Sequence, residues 1–290
     1  MKDNLVWTNS KARLTLYRRN NNKNYNWLFL PGGPGIGSES LTDLTKILNL
    51  PGTIWYVDFP DDGSNTSINN DKNFANWQKA LIEATQAFDN VILVAHSSGG
   101  MFALATPEIE KNLIGLILMD SAPNADWQKF FMNYAKANPL IEAEELQKNY
   151  QGNPSNDLLK KLTIICAPYF SMNESLEKVI IMLESLPFNY RSHMWAEKNF
   201  DPTYEAKWAP QEIPTLIFAG DQDHITPLKL FSESKKFQRK NILIRAIKNA
   251  AHFPWIDNPE QVKQLFTEYC QRLESLLKHG EPTRGEKGRN

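Results

Sequence analysis

The run Val91-Ile92-Leu93-Val94-Ala95-His96-Ser97-Ser98-Gly99-Gly100 decides the fold. Val91 to Ala95 is an unbroken apolar stretch, the pattern of a strand buried on both faces. It leads without a spacer into small-His-Ser-x-Gly-Gly, and Met101 to Ala105 continues with helical character. A serine on so tight a strand-to-helix turn is pushed into a strained, outward-facing position, and small residues two places before and after it keep the turn free of clashes. The helix starting behind it aims its N-terminal amides at the same spot and favours developing negative charge there. Ser97 is therefore the candidate nucleophile, with Ala95 in the place where Gly-x-Ser-x-Gly has its first glycine. The plainer alternative is a helix-capping serine after a buried strand.

Outward from this run, short apolar strands alternate with amphipathic helices. Leu5 to Thr8, Arg13 to Tyr17, Trp27 to Leu30, Ile54 to Val57, Leu113 to Met119, Thr215 to Ala219 and Ile242 to Ile247 read as further strands. Glu39 to Leu48, Phe74 to Phe88, Leu228 to Phe237 and Pro259 to Lys278 carry helical spacing. The alternation predicts an α/β fold, a mainly parallel eight-stranded sheet flanked by helices. It breaks over residues 124–210, which read as helices rich in aromatics, one of them opening near Ser171 with Glu174 in capping-box position. That segment is expected to be an inserted helical lid between two core portions, residues 1–123 and 211–279, its aromatics lining an apolar pocket or packing the lid itself. Residues 280–290 hold only Gly, Pro, charged and polar residues and are expected to be a disordered tail.

A nucleophilic serine needs a base, and the chain has five histidines. His96 adjoins Ser97 on the turn, where its side chain should point away; His193 lies in the insert and His279 at the end of the last helix. His224 sits in Gly220-Asp221-Gln222-Asp223-His224, and His252 in Ala250-Ala251-His252-Phe253-Pro254-Trp255. The loop of His252 follows the last strand and falls at the sheet edge that carries Ser97, so His252 is the candidate base. A carboxylate should fix the imidazole tautomer. Asp223 or Asp221, after the strand Leu216 to Ala219, could serve, and Asp120 is a second location. The chain order Ser, Asp, His, each after a strand, supports the three together. The glycine turn Pro31-Gly32-Gly33-Pro34-Gly35-Ile36-Gly37 lacks the spacing of a phosphate loop. It could instead present the amide of Gly33 beside that of Ser98 as a two-donor oxyanion hole.

Composition narrows the partners. Lys plus Arg is 32 against 33 Asp plus Glu, a net charge of −1, which gives no basic field for nucleic acid or an anionic membrane. No apolar run approaches the ~18 residues of a spanning helix, and no apolar signal core follows Met1, so a cytoplasmic location is expected. The two cysteines, Cys166 and Cys270, match no redox or metal spacing and are expected to be reduced and buried. Asp58-Phe59-Pro60-Asp61-Asp62-Gly63 is acidic, but Pro60 and Asn69 occupy positions where a calcium loop needs ligands. It reads as a solvated loop on the rim of the site. No metal and no cofactor is implied.

With Gly32-Gly33-Pro34-Gly35, Ala95-His96-Ser97-Ser98-Gly99-Gly100, Gly220-x-x-Asp223 and His252-Phe253-Pro254-Trp255 in hand, the chain resembles the α/β-hydrolase superfamily across about residues 4–278. The resemblance implies Ser97 as nucleophile, Asp223 as acid and His252 as base, acting on a small-molecule acyl or peptide substrate. Its Gly-x-x-Asp spacing selects Asp223 over Asp221. The Gly-Gly-Pro-Gly turn is similar to the proline iminopeptidase branch, but Pro31 replaces a histidine and the Asp58 to Asn65 segment lacks that branch's arginine. That branch grips a substrate amino group with acidic residues near the lid, where Glu142, Glu144, Glu145 and Glu184 are available.

Overall fold

The computed structural model describes residues 4–20, 22–66 and 73–279. Its strands are β1 (Leu5–Trp7), β2 (Arg13–Asn20), β3 (Asn26–Leu30), β4 (Gly52–Asp58), β5 (Val91–His96), β6 (Leu113–Met119), β7 (Thr215–Gly220) and β8 (Ile242–Ile247). They form one eight-stranded sheet in the order β1-β2-β4-β3-β5-β6-β7-β8. β1, β2 and β4 pair antiparallel, and every pair from β4 onward is parallel. β5 and β7 are buried along their whole length, as their continuous apolar sequences require when helices cover both faces. The two faces hold separate cores, one around Trp27, Phe29, Ile92 and Phe266, the other around Leu28, Trp55, Trp77 and Leu93.

Helices α1 (Thr42–Ile47), α2 (Trp77–Gln86) and α3 (Ser98–Leu104) follow β3, β4 and β5. Between β6 and β7 stand α4 (Asp126–Ala137), α5 (Ile141–Gly152), α6 (Asn156–Ile165), α7 (Leu176–Glu184) and α8 (Tyr190–Asn199), the helical lid. Its aromatics pack it onto the core: Phe200 stacks on Phe102 of α3 at 3.9 Å, Tyr134 stacks on His224 at 3.9 Å, and Trp195 packs on Trp77 at 5.6 Å. Glu142, Glu144, Glu145 and Glu184 are all exposed. After β7 and β8 come α9 (Lys229–Ser232), α10 (Pro254–Asp257) and α11 (Pro259–His279).

Several local readings are corrected. The capping box at Ser171 does not form: α7 starts at Leu176, and the Ser171 hydroxyl donates back to the carbonyl of Ala167. The helix read over Leu228 to Phe237 is two short turns, α9 and Lys235–Phe237, because Phe231 and Phe237 both turn inward and meet edge-on at 4.9 Å. Cys166 and Cys270 are free but only half-buried; burial pushes their thiols up to about 11 and about 12. Among the described residues no helix is long and apolar enough to cross a membrane. The tail at 280–290, and Asn69 of the acidic segment, lie outside the described residues.

Candidate active site

Parallel pairing brings the loops after β3, β5, β6, β7 and β8 to one edge of the sheet, where α/β proteins place their ligands. Register does the finer positioning. Leu30 pairs with Ala95 and His96 with Met119, so the glycine turn, the serine turn and Asp120 leave the sheet side by side.

Ser97 has φ 51° and ψ −124°, a backbone that L-residues rarely adopt, and its amide donates to Met119 at 2.9 Å. The turn has no room for larger neighbours: a Cβ on Gly99 would collide with the Pro31 carbonyl oxygen. Ser121 Oγ donates to the Ser97 carbonyl at 2.8 Å and fixes the turn from β6.

His252 and Asp223 converge on this serine. His252 Nε2 lies 3.1 Å from Ser97 Oγ, and its Nδ1 lies 3.0 Å from Asp223 Oδ2. With the serine donating to Nε2, the Nδ1–H donates to the carboxylate. Asp223 Oδ2 also accepts from Thr226 Oγ1 at 2.8 Å, and Oδ1 accepts from the amides of Ile225 and Thr226 at 2.9 and 3.2 Å. Burial pushes the Asp223 carboxyl up, but the charge of His252 and these hydrogen bonds outweigh it and hold the group at about 2. Asp223 is therefore an anion beside the imidazole. Asp221, the other aspartate of the loop, is exposed and faces the Ala250 amide at 3.5 Å.

His96, His193 and His224 have other partners. His96 Nε2 donates to the His252 carbonyl at 3.0 Å rather than to Ser97, and its ring packs on Trp255 at 4.9 Å. Burial and the neighbouring His252 depress it to about 3, so it stays neutral and supports the His252 loop as a hydrogen-bond donor. The lid contributes too, since the His252 amide donates to the Phe170 carbonyl at 3.1 Å. His193 pairs with Tyr150 at 3.2 Å, and His224 stacks on Tyr134.

Asp120 lies next to the pair rather than within it. It is fully buried at φ 43°, and its Oδ1 accepts from the Gly220 amide at 2.9 Å. Burial, then the charge of Asp223, raise its carboxyl well above the ordinary range. Asp120 Oδ2 has no hydrogen-bond partner among the described residues, and the acceptor positions of Asp223 are already taken by His252, Thr226 and Ile225. Oxygens of Asp120 and Asp223 and a ring nitrogen of His252 lie within 4.8 Å of one another, a spacing that a metal could bridge. The lone pairs of Asp223 and both ring nitrogens are already engaged in the hydrogen-bond chain, so a cation would have to displace it.

The acidic loop after β4 is not solvated. Asp58 and Asp62 are buried: Asp58 pairs with Arg13 at 2.9 Å and accepts from the Ser38 amide at 2.8 Å, while Asp62 Oδ1 accepts from the Gly35 amide at 2.6 Å. Asp62 is bonded to the glycine turn itself and Asp58 to Ser38 just after it. Sequence reading missed this because an aspartate-rich loop has the composition of a surface loop.

No curated protein matches the chain in sequence. Solved structures of the same fold include an alpha/beta fold family hydrolase from Bacillus anthracis, 16% identical with a TM-score of 0.70 over 92% of this chain and 98% of that one. A thermophilic esterase from Thermogutta terrifontis is 17% identical with a TM-score of 0.67 over 93% of this chain and 98% of that one. A proline iminopeptidase-related protein from Thermus thermophilus is 17% identical with a TM-score of 0.66 over 93% of this chain and 96% of that one. At such identities the likeness is one of fold. The sequence model of the Alpha/beta hydrolase family matches residues 27–265, from β3 through the serine turn and the His252 loop into α11. The chain belongs to the alpha/beta hydrolase family.

Proposed function

We propose that the protein is a serine hydrolase that cleaves an ester, thioester or amide bond of a small molecule through an acyl-enzyme on Ser97. The observation that carries this reading is the hydrogen-bonded chain from Asp223 through His252 to Ser97, with links of 3.0 and 3.1 Å. His252 Nε2 takes the hydroxyl proton as Ser97 Oγ attacks the carbonyl carbon, and Asp223 stabilises the imidazolium that forms. The oxyanion is met by the amides of Gly33 and Ser98. Ser98 opens α3, where a helix leaves its first amides without intrahelical partners. The glycine turn is close enough for this role, since a Cβ on Gly32 would lie 2.5 Å from the Ser97 Cβ. Collapse expels the alcohol, thiol or amine, which receives the proton from His252 Nε2. Water, deprotonated by the same nitrogen, then attacks the acyl carbon and releases the acid and Ser97. No step calls for a metal or a cofactor.

Carboxylesterase-type activity is the first reading. An aminopeptidase like the proline iminopeptidases is the second, favoured by the Gly32-Gly33-Pro34-Gly35 turn lying against Ser97. Acyl transfer or lyase chemistry, or ligand binding without turnover, would use the same scaffold. A panel of p-nitrophenyl acyl esters beside prolyl-naphthylamide separates these readings. The expected outcome is hydrolysis of short-chain esters at least about 10²-fold faster, in kcat/KM, than of the prolyl amide. The reverse ratio establishes the aminopeptidase, and ester product appearing when a competing alcohol is added establishes the transferase.

A further inference from the structure

Asp62 is a buried carboxyl that the chemistry above leaves unused. It comes from the loop after β4, yet it touches two other segments. Its Oδ1 accepts from the amide of Gly35 at 2.6 Å and from the hydroxyl of Ser192, in the first turn of α8, at 2.9 Å. The link is closed on its other side by Asn189, which caps α8. The Asn189 amide donates to the Gly35 carbonyl at 2.8 Å, and its Nδ2 donates to the Asp61 carbonyl at 2.8 Å. Gly35, two residues beyond Gly33, is thus bonded through both its N–H and its C=O, to Asp62 and to the lid. Asp62 is 3% exposed, and burial pushes its carboxyl up to about 7 against the pull of the Ser192, Gly35 and Gly63 donors.

A buried carboxyl is costly to keep unless its hydrogen bonds do something an apolar residue would not. Here they join three chain segments at a turn rich in glycine, where backbone freedom is greatest. Displacing a donor by about 1 Å costs on the order of 10²-fold in rate, so a turn carrying an oxyanion donor needs such a restraint. We propose that Asp62 is a positioning residue, which pins the glycine turn to the first turn of α8 and so holds the Gly33 amide at the place where the oxyanion forms. The proposal rests on the serine-hydrolase reading for its catalytic consequence, while the pinning itself is a property of the fold.

The test compares wild type with Asp62→Ala, Asp62→Asn and Ser192→Ala in the full chain, by p-nitrophenyl acetate kinetics, thermal melting and amide hydrogen exchange over residues 32–37 and 189–193. Asp62→Ala is expected to lower kcat by about 10- to 100-fold with KM within about 3-fold, and to speed exchange in both segments. Asp62→Asn keeps an oxygen that can accept from Gly35 and is expected to restore kcat to within about 5-fold of wild type. Ser192→Ala is expected to speed exchange with a smaller loss of kcat. Should Asp62→Ala melt earlier yet keep its kcat, or leave exchange unchanged, the proposal is overturned. Wild type that turns over no acyl substrate and resists fluorophosphonate defeats the hydrolase reading instead, and the exchange measurement then decides by itself whether Asp62 pins the turn.

Discussion

Ser97→Ala is expected to abolish covalent labelling by a fluorophosphonate and to lower ester turnover by about 10⁴- to 10⁶-fold. The magnitude follows from what remains after the hydroxyl is removed. On the proposed mechanism the donors from Gly33 and Ser98 would still stabilise developing charge and His252 would still polarise a water, so the residual rate is expected to stay above that of solution. The acyl-enzyme, however, cannot form. The melting temperature should stay within about 3 °C of wild type, since the substitution deletes one atom and its 3.1 Å bond to His252 while leaving the backbone at φ 51°. Labelling of the variant at the wild-type rate would falsify the assignment and direct attention to the neighbouring Ser98.

Much of the site is legible in the sequence because its signals are local. An apolar strand leading directly into a serine turn, and glycine or histidine loops after other strands, each announce themselves within about ten residues. Parallel pairing then brings the loops together whatever the surface sequence. What stays hidden depends on distant partners. Asp58 and Asp62 look like solvated loop residues until Arg13, Ser38, Gly35 and Ser192, all far away in the chain, supply their hydrogen bonds. His96 reads as a side chain turned away from Ser97, but the partner that sets its direction, the His252 carbonyl, lies more than 150 positions away. The Ser171 capping box fails for the same kind of reason. Ser175, not Ser171, stands at the entry of α7, and its hydroxyl is taken by Asp257, which also accepts from the Ala251 amide in the His252 loop. Local propensity proposes such partners, and tertiary contacts dispose of them.

The two aspartates beside His252 should respond very differently to the same substitution. Asp223→Asn is expected to lower kcat by about 10⁴-fold, measured with the esters that wild type hydrolyses. An amide at this position can donate to His252 Nδ1, which favours the tautomer with its proton on Nε2 and leaves no lone pair for the Ser97 hydroxyl. It also removes the negative charge that stabilises the imidazolium. Asp120→Asn, by contrast, replaces a carboxyl that burial raises well above its ordinary range. The amide oxygen continues to accept from Gly220, the amide nitrogen takes the place of an Oδ2 that has no hydrogen-bond partner among the described residues, and asparagine tolerates the left-handed backbone at φ 43°. The exchange amounts to about one neutral hydrogen bond of ~1 kcal/mol, so kcat should remain within about 5-fold of wild type. The comparison distinguishes two charge distributions that share one geometry. Were Asp120 the ionised partner and Asp223 the neutral one, the severe and the mild variant would change places. Hydrogen bonding favours the arrangement with the charge on Asp223, because that carboxylate accepts from His252, Thr226 and Ile225, whereas among the described residues Asp120 accepts only from Gly220.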